Sequence, residues 1–411
     1  MTFARERKVP ALLAYGSERR AERFAFDQTY RTENNMGFTS RILLPSLLLV
    51  AGAVPAISQR PDPGAVFAMT NRAGNNEVIA FRRAADGALT ETGRYSTGGH
   101  GIGVDFDAQG GLRLGADHRF LYACNPGSDN VSVFEVEGSE LELVQKVYAG
   151  DQPLSLTISG NLLYVLDGSV AGNQITGFRI GYRGTLTPLL NSTKMLSSPI
   201  AVPGEVRFSP DGKLLTVTQK VDSTIGPTID VFHVDANGLP SDPIANRSYG
   251  RRPFAEAFRK DGRLLVVESG LPFFNNAGVS SYDVNEAGGA LTPITGSAKN
   301  DQTDGCWIVI TDDQQYAYTA NFVSGTISSY RLSPNGGVTL ISGSEAFEGL
   351  KSQPTDLAFS QGSHYLYNLL RGTGGISAFV VKEDGNLGAL GVFGVGGGLP
   401  IANGASGLAA Y

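Results

Sequence analysis

Glu205 and Arg252 are the residues of this chain best suited to acid–base chemistry on a small oxygenated molecule. A carboxylate serves as general acid or base, and a guanidinium grips a substrate carboxylate bidentately and steadies a developing enolate. Opening or closing a lactone needs both roles. The same two residues equally suit a plain ion pair at a channel rim, which perturbs pKa values just as an active site does. His100, within Gly98-Gly-His-Gly-Ile-Gly103, is the one histidine of four placed to act as a general acid, the alternative being a loop residue. Trp307, the only tryptophan, is either a stacking wall for a ring or a packing residue at a strand start. Asp356 and Glu256 supply a second carboxylate or satisfy neighbouring backbone N–H groups, and Gln152 is a further polar contact for substrate.

These residues are far apart in sequence, so a repeated scaffold must bring them together. Aromatic residues recur about every fifty positions, at Phe81, Phe134, Phe178, Phe232, Tyr282, Tyr330 and Phe379. A glycine follows six residues later in every case except Phe134, as at Gly87, Gly184, Gly238, Gly288, Gly336 and Gly385. A hairpin fixes the distance from a packed side chain to its turn, so equal spacings mark equivalent hairpins. A second hairpin precedes each of these, clearest in Glu205-Val-Arg-Phe-Ser-Pro-Asp-Gly and Ala255-Glu-Ala-Phe-Arg-Lys-Asp-Gly. The pattern predicts an all-β, seven-bladed propeller of four-stranded antiparallel blades. The first repeat lacks an innermost strand and the segment Gly404–Tyr411 has no repeat after it, so the C-terminal strand is expected to join the first blade and close the ring. In such a ring the segments leading into the inner strands converge on one mouth, where the candidate residues lie.

The repeat, the Pro203-Gly-Glu-Val-Arg-Phe208 and Pro354-Thr-Asp-Leu-Ala-Phe359 lead-ins, and the Ser209-Pro-Asp-Gly-Lys213 turn resemble the seven-bladed lactonase family, over about residues 64–411. That family contains 6-phosphogluconolactonase-type enzymes and fungal carboxymuconate cyclases. The stretch from Asp304-Gly-Cys-Trp307 to Tyr330 is similar to its secreted branch. The resemblance implies a lactonase or cycloisomerase acting on a small oxygenated, carboxylated ring compound, with Glu205 and Arg252 matching a glutamate and an arginine of the cyclases. Those cyclases carry a histidine at the start of blade three, where this chain has Gln152, a departure that counts against the cyclase reaction. A propeller used only for binding or adhesion, or a tailoring isomerase, would share the fold.

Composition narrows partners and location. With 33 Lys and Arg against 39 Asp and Glu, a net charge of −6, and no basic run in the repeats, nucleic acid and anionic membranes are not expected partners. A small-molecule substrate and a monomer are expected. No cofactor is expected: neither glycine cluster opens a helix that could cradle phosphate, and no dense oxygen-ligand or Cys/His motif suggests a metal. Cys124 and Cys306 fall in blades two and six, too far apart for a disulfide. Arg41–Ala56 has one basic residue, an apolar core and a small-residue end, and reads as a secretory signal peptide starting at Met36. The expected organisation is a leader or gene-model extension over 1–35, a signal peptide over 36–58 and one propeller domain over 59–411. An uncleaved leader would make the apolar stretch a signal anchor. Asn130, Asn191 and Asn246 begin glycosylation sequons compatible with export.

Overall fold

The computed structural model describes residues 63–169, 172–221 and 226–411. The signal-peptide reading of Arg41–Ala56 lies outside them. Seven antiparallel sheets account for nearly all regular structure among the described residues, which belong to one compact unit. Blades two to seven are successive meanders whose inner strands are Leu112–Leu114, Pro153–Ser159, Val202–Phe208, Pro253–Phe258, Gly305–Ile310 and Pro354–Phe359. Blade three divides its outer strand into Leu186–Pro188 and Lys194–Met195.

Blade one joins the two ends of the repeat region. Leu408–Ala410 pairs antiparallel with Gly64–Met69, aligning Val66 with Ala410 and Ala68 with Leu408. The Arg83 guanidinium donates to the Tyr411 carbonyl at 3.0 Å and fastens the closure. This arrangement removes the bare sheet edge that an open fan would leave.

Burial explains the strand types. Second strands such as Phe120–Asn125 and Tyr365–Leu370 are buried at every position, because neighbouring blades cover both faces. The repeat aromatics pack between blades: Phe134, Phe232, Tyr282 and Tyr330 have no exposed surface, and each such side chain contributes roughly 1.5–3 kcal/mol by leaving water.

Turn glycines complete the repeat by meeting the preceding blade. Tyr122, Tyr164, Tyr318 and Tyr367 donate their hydroxyls to the carbonyls of Gly184, Gly238, Gly385 and Gly87 at 3.1, 2.6, 2.7 and 2.9 Å. Each glycine has a positive φ, and a Cβ on Gly184 would stand 2.3 Å from the Phe120 ring. Only glycine fits both demands there. Blade five departs from the expected spacing: Gly289, not Gly288, takes the positive φ, since its turn closes with the Gly289 N–H on the Asn285 carbonyl. Blade two also departs, because a two-residue turn at Gly138-Ser139 links the paired Glu137 and Glu140.

Candidate functional site

A short segment lies across the tunnel and determines what can meet inside it. The chain between Gly101 and Gly110 leads into the inner strand of blade two, yet Gln109 bonds to blade six on the opposite side of the ring. Its Nε2 donates to the Ile308 carbonyl at 3.1 Å and its Oε1 accepts the Ile308 N–H at 2.9 Å. The Gln109 N–H donates to the Gly204 carbonyl of blade four at 3.1 Å, and Asn71 holds the Val104 carbonyl at 2.7 Å. Phe106 and Ala108, within this segment, are buried. The segment acts as a plug, with an acidic upper side and a second polar cluster below.

On the upper side, Asp107 is the hub. Its Oδ2 lies 2.7 Å from Lys220 Nζ and 3.4 Å from an Arg252 terminal nitrogen, and its own carbonyl also accepts from Lys220. The Asp107 side chain remains 39% exposed. Lys220 is the next-to-last residue of Leu214–Val221, the second strand of blade four; it is buried and sits 4.6 Å from the centre of the Phe254 ring. Burial holds its ammonium below the usual lysine range, with Asp107 opposing that effect. Asp105 faces Arg371 at 3.5 Å, and burial raises the Asp105 carboxyl. Asp304 accepts from the Cys306 thiol at 3.3 Å, and burial raises both groups. A groove of about 710 Å³ adjoins the cluster, with Lys220, Arg251 and Arg252 set against Leu271, Pro272 and Phe274. Charged donors beside apolar walls suit an anionic ring compound.

Glu205 lies below Gln109 and has no exposed side-chain surface. Its Oε1 accepts from Arg113 at 2.5 Å, Arg207 at 3.1 Å and Gln109 at 3.4 Å, while Oε2 accepts the Glu256 N–H at 2.8 Å. The expected pairing of Glu205 with Arg252 is therefore not formed: the plug stands between them, and each has found another partner. Glu256 is wholly buried, and burial followed by Glu205 pushes its carboxyl well above the usual range, with Thr216 and Arg207 opposing the shift. Asp356 accepts the Gly407 N–H at 2.9 Å, and burial pushes its carboxyl up to about 7.

The remaining candidates stay outside both groups. Trp307 is 1% exposed, with Phe254 and Phe322 rings 5.0 and 6.2 Å away, so it packs and presents no wall to a ligand. His100 is exposed on the loop between blades one and two, its Nδ1 3.1 Å from the Ala73 carbonyl. Gln152 is half-buried, with its N–H on Asp129 at 3.1 Å. Cys124 and Cys306 are both free and buried.

Asp107, Lys220, Arg113, Arg207 and Gln109 were absent from the sequence-based set. Arg207 was discoverable, because it stands two residues after Glu205 on one strand and side chains at i and i+2 share a face. Arg113 holds the same next-to-last place in the inner strand of blade two. Nothing in local spacing shows that the loop bearing Asp107 crosses the axis.

The sequence matches the family "Lactonase, 7-bladed beta-propeller" over residues 66–203 and 259–349. It is 24% identical over 281 residues to a 6-phosphogluconolactonase of Serratia proteamaculans, covering 65% of this chain and 79% of that protein. A putative 6-phosphogluconolactonase structure from Bacteroides fragilis superposes with a TM-score of 0.66 at 18% identity, covering 86% of this chain and 99% of that one. The periplasmic gluconolactonase of Pseudomonas aeruginosa gives a TM-score of 0.64 at 16% identity, with 85% and 99% covered. At these identities the structural likeness speaks for the fold.

Proposed function

Because the chain belongs to the seven-bladed β-propeller lactonase family, we propose that it hydrolyses a lactone at the upper mouth, with Asp107, Lys220 and Arg252 as the reacting group. The observation that carries this reading is a part-exposed carboxylate held between two cations beside a groove of about 710 Å³. Asp107 takes a proton from water as the water oxygen attacks the lactone carbonyl. Lys220 and Arg252 stabilise the oxyanion of the tetrahedral adduct. Collapse breaks the ring C–O bond, the proton returns to the departing alkoxide, and a hydroxy acid leaves.

Glu205 is a poor candidate for the base because donors already fill both of its oxygens and it has no exposed surface. Arg251 and Arg252 at the groove suit a substrate that carries a carboxylate of its own. Hydrolysis is favoured over cycloisomerisation because Gln152, whose amide does not exchange a proton near neutral pH, stands where the cyclases carry a histidine. The test is a pH-indicator screen of sugar, aliphatic and aromatic lactones; acidification by the wild-type protein supports the reading, and no turnover across the panel ends it.

The Arg41–Ala56 pattern supports export of the enzyme after cleavage, and a monomer remains the expected state. Mass spectrometry of the mature N-terminus tests the cleavage, and a solution mass tests the monomer. Of the three sequons, Asn191 is exposed, whereas the Asn130 amide is committed to Ser128 and the Asn246 amide to the Gly289 carbonyl.

A further inference from the structure

Beneath the plug, two guanidiniums share a single carboxylate oxygen. Arg113 reaches Glu205 Oε1 at 2.5 Å and Arg207 reaches the same atom at 3.1 Å. A guanidinium carries five donors. Among the hydrogen bonds of the described residues, Arg113 commits Nε to the Leu156 carbonyl and one terminal nitrogen to Glu205, while Arg207 commits only one terminal nitrogen. Each side chain is 25% exposed. Most of their donors therefore have no hydrogen-bond partner among the described residues.

Charge around them is unbalanced. Two guanidiniums share the one Glu205 carboxylate, burial pushes the Glu256 carboxyl well above the usual range, and Asp356, with its carboxyl pushed up to about 7, is only partly ionised at neutral pH. Burial and then repulsion from Arg207 lower the Arg113 guanidinium to about 10. An anion placed between the two arginines would relieve that repulsion and use their open forks.

Access must come from the end opposite the plug. Arg113 and Arg207 are the next-to-last residues of inner strands that begin at the plugged mouth, and Gln109 closes the path from above. We propose that Arg113 and Arg207 form a second ligand site, in the lower half of the tunnel, that binds a compact oxyanion, carboxylate or phosphate, independently of lactone chemistry at the upper mouth.

The test is calorimetric titration at low ionic strength and pH 7 with two probes, inorganic phosphate and acetate, in an Arg252→Gln background that weakens the upper cluster. At least one probe should bind to Arg252→Gln, and its affinity should fall at least tenfold when Arg207→Gln is added. The probe that binds identifies the oxyanion class. Fluorescence of the buried Trp307 verifies folding; if Arg207→Gln does not fold, Arg207→Lys replaces it under the same criterion. No binding of either probe to Arg252→Gln, or equal binding after the Arg207 change, overturns the proposal. Lactone turnover is measured separately, so either idea can fail alone.

Discussion

Gln109 grips both the N–H and the carbonyl of Ile308 from the far side of the ring, at 2.9 and 3.1 Å. One amide side chain thus ties blade two to blade six and bars the tunnel. Removing it strands two buried backbone groups, each costing about 1–3 kcal/mol when unpaired. Gln109→Ala should lose roughly 2–4 kcal/mol in urea unfolding followed by Trp307 fluorescence. A loss within about 0.5 kcal/mol would mean that water or a rearranged segment replaces the crossing.

Glu205 is a structural anchor, because its carboxylate offsets two arginines that would otherwise repel one another. Glu205→Gln should destabilise the fold by about 3–5 kcal/mol, the usual cost of breaking a buried ion pair from one side. Thermal unfolding of the variant measures this. Whatever variant remains folded should retain lactone turnover.

The tyrosine-to-glycine bonds between blades should act nearly independently, since they lie at separate interfaces. Tyr164→Phe and Tyr318→Phe should each cost about 1 kcal/mol, and the double variant about their sum. A double-mutant cycle by denaturant unfolding checks this.

Stability should fall as pH rises from about 4 to about 8. Burial pushes Asp167 up to about 8 and Asp356 up to about 7 from an ordinary value of 3.8. Between the unfolded and folded values the native state keeps protons that the unfolded chain has released, so raising the pH favours unfolding. The slope is about 1.4 kcal/mol per pH unit for each such group. Asp167→Asn removes one of them and should flatten the decline, raising the Tm at pH 8.5 relative to wild type. An unchanged pH profile would contradict the burial argument.

The repeat was legible because packing and turn geometry act locally: the spacing of Phe178 and Gly184 or Phe379 and Gly385 recurs in every blade but the second and the fifth. Closure was legible too, since Leu408–Ala410 is the strand that blade one lacked. The site was only half legible. Asp356 and Glu256 do lie in the interior, but which carboxylate meets which cation depends on the segment from Gly101 to Gly110, whose path is set by long-range bonds to Gly204, Ile308 and Asn71. Arg252 was expected on Glu205 and instead faces Asp107, a residue that no periodicity marks. Trp307 misled because a lone aromatic at a strand start looks the same in sequence whether it lines a mouth or fills a gap between Phe254 and Phe322.

The reacting carboxylate is proposed to be Asp107, above the plug. The direct measurement is kcat/KM of Asp107→Asn on whichever lactone the wild type opens, with Tm recorded alongside. The expected result is a loss of about 10²–10⁴-fold, the span of a missing general base, in a variant that still folds but with a lowered Tm, because the buried Lys220 loses its counter-charge. Asp107→Asn turning over at the wild-type rate would place the chemistry elsewhere and contradict it.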